Sequence, residues 1–164
     1  MRDLACAFGQ DGGLDTSKAV QAILMAGLIC GVLDGLSAVG LSIAFGNGPV
    51  RMLQGIASGV LGSNAFKGGA GTAALGLALH FLIAFGASVV YYSASRVLPV
   101  LIDRALLCGV LYGIAVHLFI QYVVIPLSAI GRRPFALQSF VALVIVHMLV
   151  VGPSIALSIR RFAR

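Results

Sequence analysis

Charge is scarce in this sequence: only 10% of its 164 residues are charged, and tryptophan is absent. A soluble domain carries roughly 25% charged residues, because its surface must face water. So few charges cannot cover a globule, which argues against a soluble enzyme or binding module and leaves lipid to solvate the exterior. Without tryptophan, the aromatic belts usual at bilayer interfaces must rely on Tyr and Phe. Three cysteines occur, and none stands in a CxxC or Cys/His zinc spacing. Cys30 and Cys108 lie in apolar runs and Cys6 near the start, so they read as ordinary thiols and not as a disulfide framework. Met1 to Lys18 lacks the apolar core of a signal peptide, and the first membrane helix is therefore expected to be retained.

What the chain does have is apolar length. Sixty per cent of it is hydrophobic, mean hydropathy is +1.06, and its size suits one domain. The formal charge of +6 would suit a nucleic-acid partner. Its positions argue otherwise: Arg and Lys sit in connections and at ends, as snorkelling anchors and topology signals do. No nucleic acid is expected; the lipid bilayer is the first partner.

Apolar runs predict four transmembrane helices, over about Val20 to Phe45, Ala70 to Ala94, Ala105 to Leu127 and Ser139 to Ile159. Each is long enough for a ~30 Å hydrocarbon core, which takes about 20 residues. A polar segment, 1–18, precedes a single membrane domain, 19–164. Pro49 to Leu61 reads as a short amphipathic interfacial helix, with Leu53, Ile56, Ala57, Val60 and Leu61 on one face and Arg51, Gln54, Ser58 and Gly59 on the other. Pro153 predicts a kink in the last span. Orientation follows from the basic residues. Arg2, Lys18, Arg96, Arg104, Arg160, Arg161 and Arg164 share one side, against Arg51, Lys67, Arg132 and Arg133 on the other. That imbalance favours both termini in the cytoplasm.

An internal echo is present. Cys30-Gly31-Val32-Leu33-Asp34-Gly35 matches Cys108-Gly109-Val110-Leu111-Tyr112-Gly113 in all but one position, and His80-Phe81-Leu82 is more faintly echoed by His147-Met148-Leu149. Two spans separate the copies, so a duplicated helix pair would give parallel repeats about a pseudo-two-fold axis along the membrane normal. The fold expected is thus an all-α integral membrane protein, a four-helix bundle of two related hairpins. In lipid, helices associate through close backbone approach at small residues. Gly27, Gly31 and Gly35, then Gly76, then Gly109 and Gly113, form the stripes expected to face the interior.

Asp34 is the single acidic residue within a span, and His80, His117 and His147, all the histidines of the chain, are in spans too. Counting at ~1.5 Å per residue places all four near mid-membrane, in what could be one polar layer, with Gln121 one turn after His117. Ionisable groups at that depth are costly and usually find partners inside the bundle. Three readings stay open. They are register pins made of interhelical hydrogen bonds; a proton- or ion-linked site, because His titrates near neutrality; or a metal or haem site on His80, His117 and His147. No catalytic residue is expected, and no cofactor is required by any motif. A homo-oligomer or a partner membrane protein is expected, since a chain this short has little room for a complete translocation path; an accessory or scaffold role is the competing class.

The glycine-rich first span, the mid-membrane His80, the stretch from Cys108-Gly109-Val110-Leu111 to Ile125-Pro126-Leu127, and the final span with His147 and terminal arginines together resemble the YagU-type bacterial inner-membrane proteins. That family has no established biochemical activity. The resemblance implies a bacterial inner-membrane location and a link to acid tolerance. Asp34 and the polar stretch to Lys18 have no counterpart in its pattern.

Overall fold

Helix boundaries fall where glycine and proline interrupt the apolar runs. The structure, a computed structural model, describes residues 4–131 and 136–162, with side chains from 16 onward. The first helix, α1 (Leu4–Ala44), stops before Gly46, whose φ of +77° lies in the left-handed region that glycine tolerates. Pro49 then opens α2 (Pro49–Leu61), and Gly62, at φ +58°, closes it. A 3₁₀ turn, Gly62–Lys67, leads into α3 (Gly69–Val97). Short α4 (Val100–Asp103) follows Pro99, then comes α5 (Ala105–Phe119), carried on by a π-helical turn, Ile120–Val124, and α6 (Ile125–Leu127). The last span is α7 (Leu137–Val146), a second π-turn, His147–Val151, and α8 (Gly152–Phe162). Among the described residues there is no strand.

Four stretches are long and apolar enough to cross a membrane: Thr16–Ala44, Gly69–Val97, Ala105–Leu127 and Leu137–Phe162. They match the four expected spans within a few residues at most ends. At the N-terminus the helical backbone already begins at Leu4, so from there the polar stretch is continuous with the first helix. The topology arginines Arg2, Arg132, Arg133 and Arg164, and the side chain of Cys6, lie outside the described residues.

Both π-turns have the same cause. Pro126 and Pro153 each follow the end of a π-turn by two residues. A proline has no N–H for the carbonyl four residues back, and its ring crowds that carbonyl. Widening the helix lets bonds to the fifth residue close instead, from Ile125 N–H to the Ile120 carbonyl and from Gly152 N–H to the His147 carbonyl. A π-turn stands where a kink was expected at Pro153, and Pro126 has one as well.

The helices do not form a closed ring of equal contacts. α1 packs against both α3 and α8, and α5 packs against α8 and the π-turn beside it. The spatial order is therefore second, first, fourth, third span. α3 and α5 meet chiefly at Tyr112, whose hydroxyl donates to the Ala87 carbonyl (2.7 Å) while its ring contacts that of Tyr91 (centroids 5.0 Å). Beyond that bridge an apolar groove of about 580 Å³ opens between them, lined by Ile83, Gly86, Val90, Ala115, Phe119 and Val124 among others. The buried core is small, centred on Tyr91, Ile155, Ile159 and Cys30. Outward faces remain apolar, with Leu36 and Leu82 each 66% exposed and Leu149 60%. Leucine faces of that extent fit a hydrocarbon surround and would aggregate in water.

α2 is turned otherwise than its apolar pattern predicts. Gln54, Ala57 and Ser58 are buried, while Val60 is 60% exposed. Gln54 Nε2 donates to the Gly69 carbonyl (3.1 Å), and the Leu53 backbone lies against Gly76 so closely that a Cβ there would overlap its carbonyl. The physical reason is the scarcity of water: polar groups seek protein partners, and apolar ones can face lipid. The end of α2 is also tied to the far side of the bundle, where its Gly59 carbonyl accepts the Ala129 N–H (2.8 Å). Gly76 was expected on a stripe between spans; it instead receives this short helix. Gly76→Leu is expected to detach α2 from α3, which limited proteolysis in detergent will report as new cleavage between Arg51 and Lys67.

Candidate functional site: two histidine pairs

The glycine stripe of α1 is a row of seats for rings. A Cβ at Gly27 would overlap the ring of Phe85, one at Gly31 would crowd Phe81, and one at Gly35 would come within 3.3 Å of His80 Nε2. Three aromatic side chains of α3 therefore lie down on three glycines of α1. His80 uses the gap at Gly35 to reach the α1 backbone, where its Nε2 lies 2.8 Å from the Gly31 carbonyl. A carbonyl only accepts, so Nε2 carries a hydrogen and donates it. The other ring nitrogen, Nδ1, then faces the Asp34 carboxylate, 4.0 Å from Oδ2. His80 and Asp34 side chains are 11% and 21% exposed, well inside the first two spans.

The second pair is built from the other hairpin. Gly109 and Gly113 of α5 lie against the backbone of the last span: a Cβ on Gly109 would press on the Gly152 carbonyl, and one on Gly113 would overlap the His147 carbonyl. Gly152 returns the favour, seated directly on the Gly109 carbonyl. This approach brings the rings of His117 and His147 together, with centroids 4.9 Å apart and planes at 67°. His147, the first residue of its π-turn, donates from Nδ1 to the Leu143 carbonyl (2.8 Å), which leaves Nε2 with its lone pair in the neutral ring. His117 is 3% exposed, packs edge-on to Phe140, and its Nε2 has no hydrogen-bond partner among the described residues. Leaving such a nitrogen unpaired costs about 1–3 kcal/mol.

The four titratable candidates fall into two pairs, Asp34 with His80 and His117 with His147. No hydrogen bond, ion pair or ring contact joins Asp34 and His80 to His117 and His147 among the described residues. A count of residues along each helix says nothing of azimuth, which decides who meets whom. For the same reason the three-histidine metal site does not assemble: among the described residues no three of His, Cys, Asp or Glu converge. A haem between two histidines does not fit either, since rings in contact at 4.9 Å leave no room for a macrocycle between them. Gln121 falls in the π-turn after α5, and among the described residues no hydrogen bond links it to either pair.

Sequence reading missed Gly152, the ring partners Phe81 and Phe85, and the Tyr112 bridge. Gly152 carried a signal, since Gly152-Pro153 interrupts an apolar run where glycine has no helical advantage. Tyr112 carried one as well, as the single mismatch in the echoed hexapeptide. Compared with known proteins, the chain matches no family model, no curated protein and no solved structure.

Proposed function

We propose that this is a proton-linked protein of the bacterial inner membrane, with both termini in the cytoplasm, whose working element is the Asp34–His80 pair. The observation that carries the reading is the fixed orientation of His80. With Nε2–H committed to the Gly31 carbonyl, Nδ1 of the neutral ring is an acceptor, and it faces a second acceptor, the Asp34 carboxylate. Two acceptors face each other favourably only with a proton between them. Loaded, the pair is an attraction between α1 and α3; emptied, it is a lone pair against a negative charge in poorly solvated surroundings. Proton occupancy is thereby coupled to the packing of the first hairpin.

The duplication belongs to the same proposal. What supports it is that Gly35 seats His80 while its echo, Gly113, seats the backbone of His147. The two hairpins are then related units, and α2 is an added interfacial element fastened to α3. The resemblance to YagU-type proteins, with their link to acid tolerance, agrees with a proton-linked role.

The test is proton flux into proteoliposomes with an enclosed pH-sensitive dye, under an imposed potential. Wild-type protein is expected to raise the flux clearly above that of empty vesicles, and Asp34→Asn to return it to their level. Equal flux for wild type and Asp34→Asn would reject the pair as the working element.

A further inference from the structure

The groove between α3 and α5 belongs to neither histidine pair. Its walls are tied at both ends and stand apart between them. Tyr112, hydrogen-bonded to the Ala87 carbonyl, closes one end. At the other end α2 joins the two walls. Its Leu53 backbone lies on Gly76 of α3, and its Gly59 carbonyl accepts the Ala129 N–H just beyond α6. We infer that this groove is a binding site for one acyl chain of an anionic phospholipid, entering from the leaflet on the α2 side.

Shape selects the occupant. On the third span the lining runs from Tyr112 to Val124, about 18 Å at ~1.5 Å per residue. That is roughly the hydrocarbon depth of one leaflet, half of a ~30 Å core. Spread over this length, 580 Å³ makes a channel roughly 6 Å across, too narrow for a helix of about 10–12 Å but wide enough for a single hydrocarbon chain. A partner helix, or a second copy of this chain, does not fit. Chemistry agrees. Tyr112 carries the one polar side chain of the lining, and its hydroxyl is already committed to backbone. Nothing lies within 4 Å of a Cβ built on Gly86, so the α3 wall offers free space. Left empty, the channel would forfeit the dispersion contacts of its lining. Both walls are membrane spans, so acyl chains are the molecules at hand to fill it. The headgroup follows from the entrance. Val124 stands within one turn of Leu127, the end of the third span, and the charged residues of segment 45–69 on that side, Arg51 and Lys67, are both basic. Basic residues at a membrane surface attract anionic lipids.

The site is independent of the Asp34–His80 pair, so the two readings fail separately. The test uses full-length protein in lipid nanodiscs that contain, as a minor component, a phosphatidylglycerol with a photoreactive diazirine at the tip of one acyl chain. After illumination, peptide mass spectrometry locates the adducts. Residues 83–90 and 112–119 are expected to be labelled about 10-fold more than the faces around Leu36 and Leu149, which are exposed without a groove. Gly86→Phe fills the channel from a position with room for a side chain; it is expected to stay monodisperse on gel filtration and to lose that excess. The same probe with a phosphocholine head is expected to label the groove less. Should Gly86→Phe misfold, the distribution of label on the wild-type protein decides alone. Uniform labelling of all lipid-facing helices, an excess unchanged in folded Gly86→Phe, or an equal excess with the phosphocholine probe would each overturn the inference.

Discussion

Gly113→Leu is expected to yield little or no folded protein, with the material recovered in detergent as aggregate on gel filtration. At Gly113 even a Cβ would overlap the carbonyl carbon and oxygen of His147, and next beyond lies the Met148 amide. Those are backbone atoms, fixed by the π-turn whose closing bond runs from Gly152 N–H to that same carbonyl. Nothing there can rotate aside, so α5 and the last span must separate, at a cost of more than about 3 kcal/mol, the upper end for overpacked cores. The first hairpin behaves differently. At Gly31 the neighbour is the ring of Phe81, a side chain that can swing outward into lipid. Gly31→Leu is therefore expected to be folded but less stable, with a lowered thermal midpoint. Gly40, with nothing within 4 Å of a Cβ, provides the control: Gly40→Ala is expected to be neutral or slightly stabilising.

His80→Phe should be less stable than the double variant Asp34→Leu/His80→Phe. Removing His80 alone leaves a carboxyl group in the span without the ionic partner it has among the described residues, and a stranded charge costs more than an absent pair. Asp34 is 21% exposed, which moderates the penalty to about 1–3 kcal/mol. Removing both groups lets apolar side chains fill the contact between α1 and α3 and recovers most of that loss. Proton flux, in contrast, is expected to be absent from single and double variants alike. The divergence of the two readouts separates a working pair from a register pin: a pin would lose stability in the double variant and leave flux untouched. Thermal unfolding in detergent and the vesicle assay, run on the same three proteins, measure it.

The spans themselves were plain in the sequence, because crossing hydrocarbon imposes length and apolarity that no local detail can mask. Glycine stripes were equally legible: Gly27, Gly31, Gly35, Gly109 and Gly113 all turn out to face a neighbouring helix. What lay hidden was everything set by rotation about a helix axis. The pairing of Asp34 with His80 and of His117 with His147 depends on which spans are neighbours. That order, with the first and last spans together at the centre, follows from packing and not from any one segment. Gln54 and Ser58 misled for a related reason: a polar face reads as water-seeking, and here it is turned to protein. The π-turns had a local signal in Pro126 and Pro153, yet proline alone does not say whether a helix will break, bend or widen.

The sharpest test of the central claim is nitrogen-15 NMR of histidine-labelled protein in lipid bilayers, with and without the Asp34 carboxylate. One histidine, assigned by its loss in His80→Gln, should carry its hydrogen on Nε2, bonded to the Gly31 carbonyl, with Nδ1 facing the Asp34 carboxylate. In Asp34→Asn the Nδ1 signal should change while Nε2 keeps its hydrogen. A His80 ring whose Nε2 carries no hydrogen, or whose Nδ1 behaves identically with and without the Asp34 carboxylate, would contradict the account.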